Sequence, residues 1–153
     1  MNALSTSLDL APALVILPGL RAGVADDGGG QALRAPDARD LFERGPVLVA
    51  HASMTARRLG LNSASRSPRM FDVLELFAFV RPAQFCAPSA AGLALAMGLP
   101  EPRGAVAQAV ALRQACGLLL EELAAMAQEG HLRPGLDMAN VSVEPPRDAG
   151  HGE

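Results

Sequence analysis

His51, Asp72 and Glu75 are three residues of this sequence whose types could contribute to acid–base or metal chemistry. His51 follows the apolar run at 47–50, and an imidazole is the side chain that gains or loses a proton near neutral pH. No carboxylate or nucleophile accompanies it, so we expect a hydrogen-bonded structural histidine rather than a catalytic one. Asp72 and Glu75 lie near the start of a predicted helix, where an acidic side chain complements the helix dipole. We therefore predict no catalytic residue.

The two cysteines and the basic residues exclude several functional classes. Cys86 and Cys116 form no Cys-x-x-Cys motif and no cluster with histidine, so neither a zinc site nor a disulfide framework is indicated. We expect free thiols in a reducing, cytoplasmic compartment. All 13 basic residues are arginines and the formal net charge is -3. The missing lysine excludes a phosphate-binding P-loop, and the charge excludes a strongly basic nucleic-acid module.

One basic stretch is a candidate DNA contact. Between Leu48 and Phe71 the chain has no acidic residue, and this interval holds four arginines: Arg57, Arg58, Arg66 and Arg69. Such a cluster can neutralise backbone phosphates without reading the base sequence. The alternative is an ordinary solvated surface, because the same stretch has no aromatic side chain on which a base could stack before Phe71.

The pattern of apolar and turn-forming residues predicts strands and helices in a defined order. The predicted strands lie at 13–17, 21–24, 31–34 and 47–50, and the helices at 36–43, 54–59, 71–80, 90–97 and 105–128. Asp26, Asp27 and three glycines should form a hairpin turn rather than a metal site. Ser53 and Ser89 are predicted to cap two of the helices.

These elements predict one compact α/β domain with a small mixed β-sheet flanked by helices. We expect a loose leader at 1–11, the domain at 12–129, and an irregular tail or linker at 130–153. No apolar run reaches the twenty or so residues that span a bilayer, so no membrane contact is expected.

The order of these elements resembles a known family. Residues 45–60, with Val-Ala-His at 49–51, resemble the second motif of the DnaQ-like proofreading exonucleases, which belong to the DEDD type and have the ribonuclease H-like fold. Residues 70–77 resemble that family's Asp-Thr-Leu helix, and 89–99 resemble its next helix. The long C-terminal helix corresponds to the third motif, so the resemblance extends from residue 13 to about 125 and implies a ribonuclease H-like α/β fold.

A narrower resemblance links residues 74–82, Pro88 and Gly92 to the N-terminal region of bacterial DinG-type ATP-dependent DNA helicases. Active exonucleases of the family hold two divalent ions between four carboxylates, with a histidine beside the attacking water. The resemblance implies that this pocket has degenerated, because the corresponding positions carry no acid. The positions of the degenerate pocket are His51, Ala56, Gly104 and Ala109.

The resemblance implies a catalytically inactive, exonuclease-like accessory domain of a DNA-repair helicase, with no cofactor or metal in this chain. Its expected partners are the helicase motor domain and the DNA backbone. Two alternatives stay open: an independent protein-interaction module with no helicase connection, and a residual metal-dependent nuclease.

Overall fold

The computed structural model describes residues 10–61 and 69–130. These residues divide between Leu120 and Glu121 into two compact units. The predicted leader and tail lie almost entirely outside the described residues. The strands are β1 Ala13–Leu17, β2 Arg21–Asp26, β3 Gly29–Arg34, β4 Val47–Val49 and β5 Met70–Asp72, and the helices are α1 Leu41–Arg44, α2 Ala52–Arg58, α3 Val73–Val80, α4 Ala90–Ala96 and α5 Gly104–Gln128, with a 3-10 helix at Ala35–Asp40.

The five strands of the described residues form one mixed sheet with the order β3-β2-β1-β4-β5. Short turns join β1, β2 and β3 into an antiparallel meander, whereas β4 lies parallel to β1 and β5 parallel to β4. Parallel neighbours need longer connections, and these contain α1 and α2. The predicted fold class, α/β with a small mixed sheet flanked by helices, is confirmed.

Both faces of β1 are buried, and each face packs against different elements. Leu14 and Ile16 belong to one apolar cluster with Val47, Val49 and Leu59. Alternate residues of a strand point to opposite faces, so Val15 lies on the other face, beside Gly23 of β2. A strand covered on both sides reads as a continuous apolar run, which is the pattern of Ala13–Leu17.

Helix α5 crosses the second face of the sheet at two glycines. A Cβ atom built on Gly23 would collide with the backbone of Ala105 and stand 2.6 Å from the amide nitrogen of Val106, and one on Gly30 would stand 2.8 Å from Cγ1 of Val106. The helix can therefore lie this close to β2 and β3 only because these positions lack side chains. No helix of the described residues is long and apolar enough to cross a membrane.

The hairpin prediction was right in kind and wrong in detail. The turn consists of Asp27 and Gly28, and Asp26 Oδ1 accepts a hydrogen bond from the Gly28 amide at 2.8 Å. Gly29 and Gly30 belong to β3 and not to the turn. Gly30 lies in the strand where α5 approaches too closely for a side chain.

Two other local predictions need correction. Residues 70–72 form strand β5, not the start of a helix, because they pair with β4 in parallel register. His51, not Ser53, is the N-cap of α2, and its side chain accepts from the Met54 amide. The Ser89 cap is confirmed: its side chain accepts a hydrogen bond from the Gly92 amide at 2.9 Å.

Candidate functional site

The carboxyl ends of β1 and β4 open into a cleft of about 200 Å³ between the sheet and α2, which we name the strand-end cleft. Ligands of open α/β sheets commonly bind at this edge. The cleft is lined by residues from five segments: Leu14, Val15, Ile16, Leu17, Ala50, His51, Met54, Thr55, Arg58, Pro88, Ser89, Ala90 and Gln108. None of these described lining residues is Asp or Glu, so they do not fit a pair of divalent ions, which need several carboxylate oxygens.

His51 lies in this cleft as a structural residue. Its backbone is left-handed, with φ 66° and ψ 78°, and its Nδ1 accepts a hydrogen bond from the Met54 amide at 3.3 Å. The His51 carbonyl accepts from the amide and the hydroxyl of Thr55 at 3.1 and 3.2 Å. A neutral imidazole that accepts through Nδ1 carries its proton on Nε2. The ring is thus held by the first turn of α2 rather than oriented by a carboxylate.

Asp72 joins β5 to the starts of two helices. Its Oδ1 accepts from the Leu74 amide at 3.0 Å and from the His51 amide at 3.2 Å, and its Oδ2 accepts from the Ala52 amide at 2.8 Å. Amides at a helix start have no partner within the helix. The carboxylate therefore satisfies donors of both α2 and α3, and all three of these bonds are to backbone.

The predicted DNA-contact arginines that the structure describes differ in their surroundings. Arg58 Nη1 donates to the Ile16 carbonyl at 2.6 Å, which ties α2 to β1. Arg57 is exposed in the last turn of the same helix, where a cation complements the helix dipole. Arg69 is exposed, and its carbonyl accepts from the Val47 amide at 2.9 Å. Arg66 lies outside the described residues.

The four positions of the predicted degenerate pocket do not all meet. His51 lines the strand-end cleft, whereas Ala56 is absent from its lining and Ala109 is fully buried in α5. Gly104 lines a different groove, at the start of α5. The long helix contributes Gln108 to the cleft. Among residues 10–61 and 69–130, no group of three or more His, Cys, Asp or Glu side chains could hold a metal ion.

The sequence did not predict a second, more apolar depression next to α3. We name it the Phe85 groove; it has a volume of about 300 Å³ and is lined by Leu74, Phe77, Ala78, Arg81, Pro82, Gln84, Phe85, Cys86 and Pro88. Phe85 is 86% exposed, which is unusual for a side chain that gains so much free energy from burial. The sequence feature that could have indicated this groove is an aromatic residue, Phe85, in a loop flanked by prolines.

Hydrogen bonds fix the wall of the Phe85 groove. Gln84 Nε2 donates to the Ala96 carbonyl at 2.9 Å, and Arg81 Nη1 donates to Gln84 Oε1 at 3.1 Å and to the same carbonyl at 3.3 Å. These contacts tie the loop after α3 to the last residue of α4. The exposed Phe85 is therefore held on a braced loop.

The two cysteines are free and differ in their surroundings. Cys116 is 1% exposed inside α5, and burial raises the pKa of its thiol to about 11, against a smaller lowering by Arg113. Cys86 lies in the wall of the Phe85 groove and is partly exposed. Burial raises its pKa as well. Because the thiolate is the reactive form and needs access, Cys86 is the more reactive thiol.

Comparison with known proteins found short matches to one enzyme. Arginine–tRNA ligase of Ruegeria sp. (strain TM1040) is 64% identical over 36 residues, and that of Ruegeria pomeroyi is 65% identical over 37. The enzyme of Paracoccus denitrificans is 61% identical over 36 residues. Each match covers 24% of this chain, and the chain spans 6% of the length of these relatives. No family model and no solved structure matches the chain.

These matches overturn the DnaQ-like and DinG-type interpretation. The relatives are named arginine–tRNA ligases, so association with a helicase, descent from an exonuclease and a role in DNA repair were wrong predictions. The resemblance was misleading because it rested on the order of short strands and helices. Short apolar strands followed by alanine- and leucine-rich helices are what any small covered sheet requires, so those motifs carried information about fold class and little about family.

Proposed function

We propose that this chain is a non-catalytic protein-interaction domain that binds its partner in the Phe85 groove. The observation that carries the proposal is the 86% exposure of Phe85 on a loop braced against α4. An exposed apolar surface commonly marks an interaction site, and a rigid aromatic side chain is a frequent anchor of such sites.

The groove favours a partner segment with apolar side chains. Its walls are largely hydrocarbon, with Leu74, Phe77 and Pro82 around the exposed ring. Phe79 and Leu95, on the two helices beside the loop, are 61% and 56% exposed. One turn of an amphipathic helix would present apolar side chains at a spacing suited to such a groove.

The experiment is a selection of binding peptides from a random amphipathic library displayed on phage, followed by titration of the selected peptides. We expect peptides with apolar anchors, whose affinity for Phe85→Ser is weaker by about 2 kcal/mol or more, the loss typical of a truncated aromatic hot spot.

Phe71→Ser is the matched control, because Phe71 is 44% exposed and lies on β5 outside the groove. Affinity for this variant should equal that for the unaltered chain. Sedimentation equilibrium of the chain alone would show whether a second copy occupies the surface instead. Selection of no peptide, or equal affinity for both serine variants, would remove the proposal.

Among the described residues, the lining of the strand-end cleft has no carboxylate to hold a divalent ion, which argues against a nuclease reaction. We therefore expect labelled single-stranded DNA to stay intact with magnesium or manganese. The two free cysteines are consistent with a reducing compartment, and a cytoplasmic location remains a prediction.

The comparisons favour a second candidate function, contact with tRNA. Its support is the identity of 61–65% over about 36 residues with enzymes whose name gives tRNA as a substrate. Fluorescence anisotropy with labelled arginine tRNA, at low and moderate salt, tests it against an unrelated RNA hairpin of equal length. Equal affinity for the two RNAs would remove a specific role in tRNA recognition.

A further inference from the structure

Two arginines lie directly opposite each other at one end of the β2–β3 hairpin. Arg21 and Arg34 are register partners in this antiparallel pair, so their Cα atoms are about 4.5–5.5 Å apart and their side chains leave the sheet on one face. Both residues are exposed. Like charges at directly opposed positions repel each other.

Neither guanidinium is neutralised within the described part of the chain. Arg21 and Arg34 have no hydrogen-bond or ion-pair partner for their side chains among residues 10–61 and 69–130. Three other arginines differ in this respect: Arg58 and Arg39 donate to backbone carbonyls, and Arg113 pairs with Asp27. An opposed pair of cations that no described residue neutralises is a site where an anion would relieve repulsion.

The pair borders a groove that also has apolar walls. Arg21 and Arg34 line a depression of about 420 Å³ together with Leu17, Leu20 and the first residues of α5. Arg21 shares its face of β2 with Gly23, which lies under Ala105, so both arginines project on the face of the sheet that α5 covers. The first amides of a helix are donors without partners inside the helix.

We propose that this groove binds a small phosphate monoester. Two guanidinium groups can each donate paired hydrogen bonds to phosphate oxygens. A phosphate dianion carries the charge that two cations neutralise, and it has more acceptor oxygens than a carboxylate. The groove is far larger than a phosphate ion, so Leu17, the register partner of Arg21, and Leu20 would contact the organic part of the ligand.

Isothermal titration with phenyl phosphate tests the site, and inorganic phosphate and benzyl alcohol are the reference ligands. We expect phenyl phosphate to bind more tightly than either reference, with weaker binding as salt rises because the attraction is electrostatic. Arg21→Gln and Arg34→Gln should each lower its affinity by roughly tenfold or more, as loss of a charged hydrogen-bond donor does. Arg44→Gln, an exposed arginine at the end of α1, should leave it unchanged.

Thermal unfolding gives a second readout that does not depend on tight binding. Because the opposed charges repel, Arg21→Gln should raise the melting temperature of the free chain while abolishing the further rise that phenyl phosphate gives to the unaltered protein. Phenyl phosphate binding that is equal in all variants would overturn the proposal. So would binding of a single-stranded oligonucleotide in the absence of any phenyl phosphate binding. Both outcomes are independent of the Phe85 groove.

Discussion

Of the polar side chains discussed above, Asp72 is the one whose removal we expect to lower the free energy of unfolding most. Its carboxylate accepts the amides of Leu74, His51 and Ala52, with the shortest bond of 2.8 Å to Ala52. Loss of the cap on α3 costs about 1 kcal/mol. Each of the two amides at the start of α2 loses a charged acceptor in a partly buried setting, which costs about 1 kcal/mol or more. Asp72→Ala should therefore lower the free energy of unfolding by about 3 kcal/mol.

Asp72→Asn separates the effects of the two oxygens. The amide oxygen can still accept at the Oδ1 position, from Leu74 and His51, but an NH₂ group then faces the Ala52 amide. We expect a loss of about 1–2 kcal/mol, since one acceptor disappears and a donor is left opposed. Asp37→Ala is the control. Asp37 also lies in a first turn, that of the 3-10 helix, but its side chain makes no hydrogen bond within the described residues, so its removal should cost no more than about 0.5 kcal/mol.

Urea unfolding followed by circular dichroism measures all three variants. The predicted order of stability is Asp37→Ala above Asp72→Asn above Asp72→Ala. If Asp72→Asn is as stable as the unaltered chain, or if both alanine variants lose the same free energy, then the carboxylate does not join the two helix starts as described.

Three further predictions concern packing, pH and the basic stretch. Gly23→Ala should destabilise the fold by about 2 kcal/mol or more in urea unfolding, because the added Cβ meets the backbone of α5. Gly117→Ala is the control: its Cβ would have ordinary contacts, so it should raise stability by up to about 1 kcal/mol. Equal effects of the two substitutions would contradict this packing. Above about pH 9 the unfolded Cys116 thiol loses its proton while the folded one keeps it, so stability should fall by up to about 3 kcal/mol as pH rises toward 11, where the folded thiol titrates. The chain has no lysine or tyrosine that titrates in this range, and Cys86, whose pKa burial also raises, contributes to the same slope. A Cys116→Ala variant that keeps the full slope would refute the assignment. Arg58→Ala should lower the free energy of unfolding by about 1–2 kcal/mol, because its hydrogen bond to β1 is lost. Arg57→Ala should change the free energy of unfolding by no more than about 0.5 kcal/mol. Equal losses in the two variants would show that the bond to β1 contributes nothing.

The strands and helices that depend on local pattern were predictable from the sequence. The continuous apolar run of β1 and the alanine- and leucine-rich α5 are signals within a single segment, and both elements lie within a residue of where they were expected. Ser89 followed by small residues likewise predicted a helix with a serine N-cap. Such features are set by neighbours in sequence.

The features that failed depend on contacts distant in sequence. Strand β5 exists because Met70–Asp72 pairs with β4, and a three-residue strand has no periodicity of its own. His51 replaces Ser53 as a cap because Asp72, some 20 residues away, fixes the amides of His51 and Ala52.

The candidate sites were harder still to predict. The opposition of Arg21 and Arg34 appears only when the hairpin register is known. Arg58 belonged to a plausible basic cluster in the sequence, and only the fold shows that its guanidinium is bound to a β1 carbonyl.

The most direct test of the proposed docking function uses Cys86 as a reporter in the wall of the Phe85 groove. Cys116 is buried and its thiol has a pKa of about 11, so a thiol reagent at neutral pH modifies Cys86 first. The rate of Cys86 modification is measured with and without a saturating amount of a selected peptide. We predict that the peptide slows modification of the unaltered chain and has no effect on Phe85→Ser. An unchanged rate in the saturated, unaltered chain would contradict the claim that the groove is the docking site.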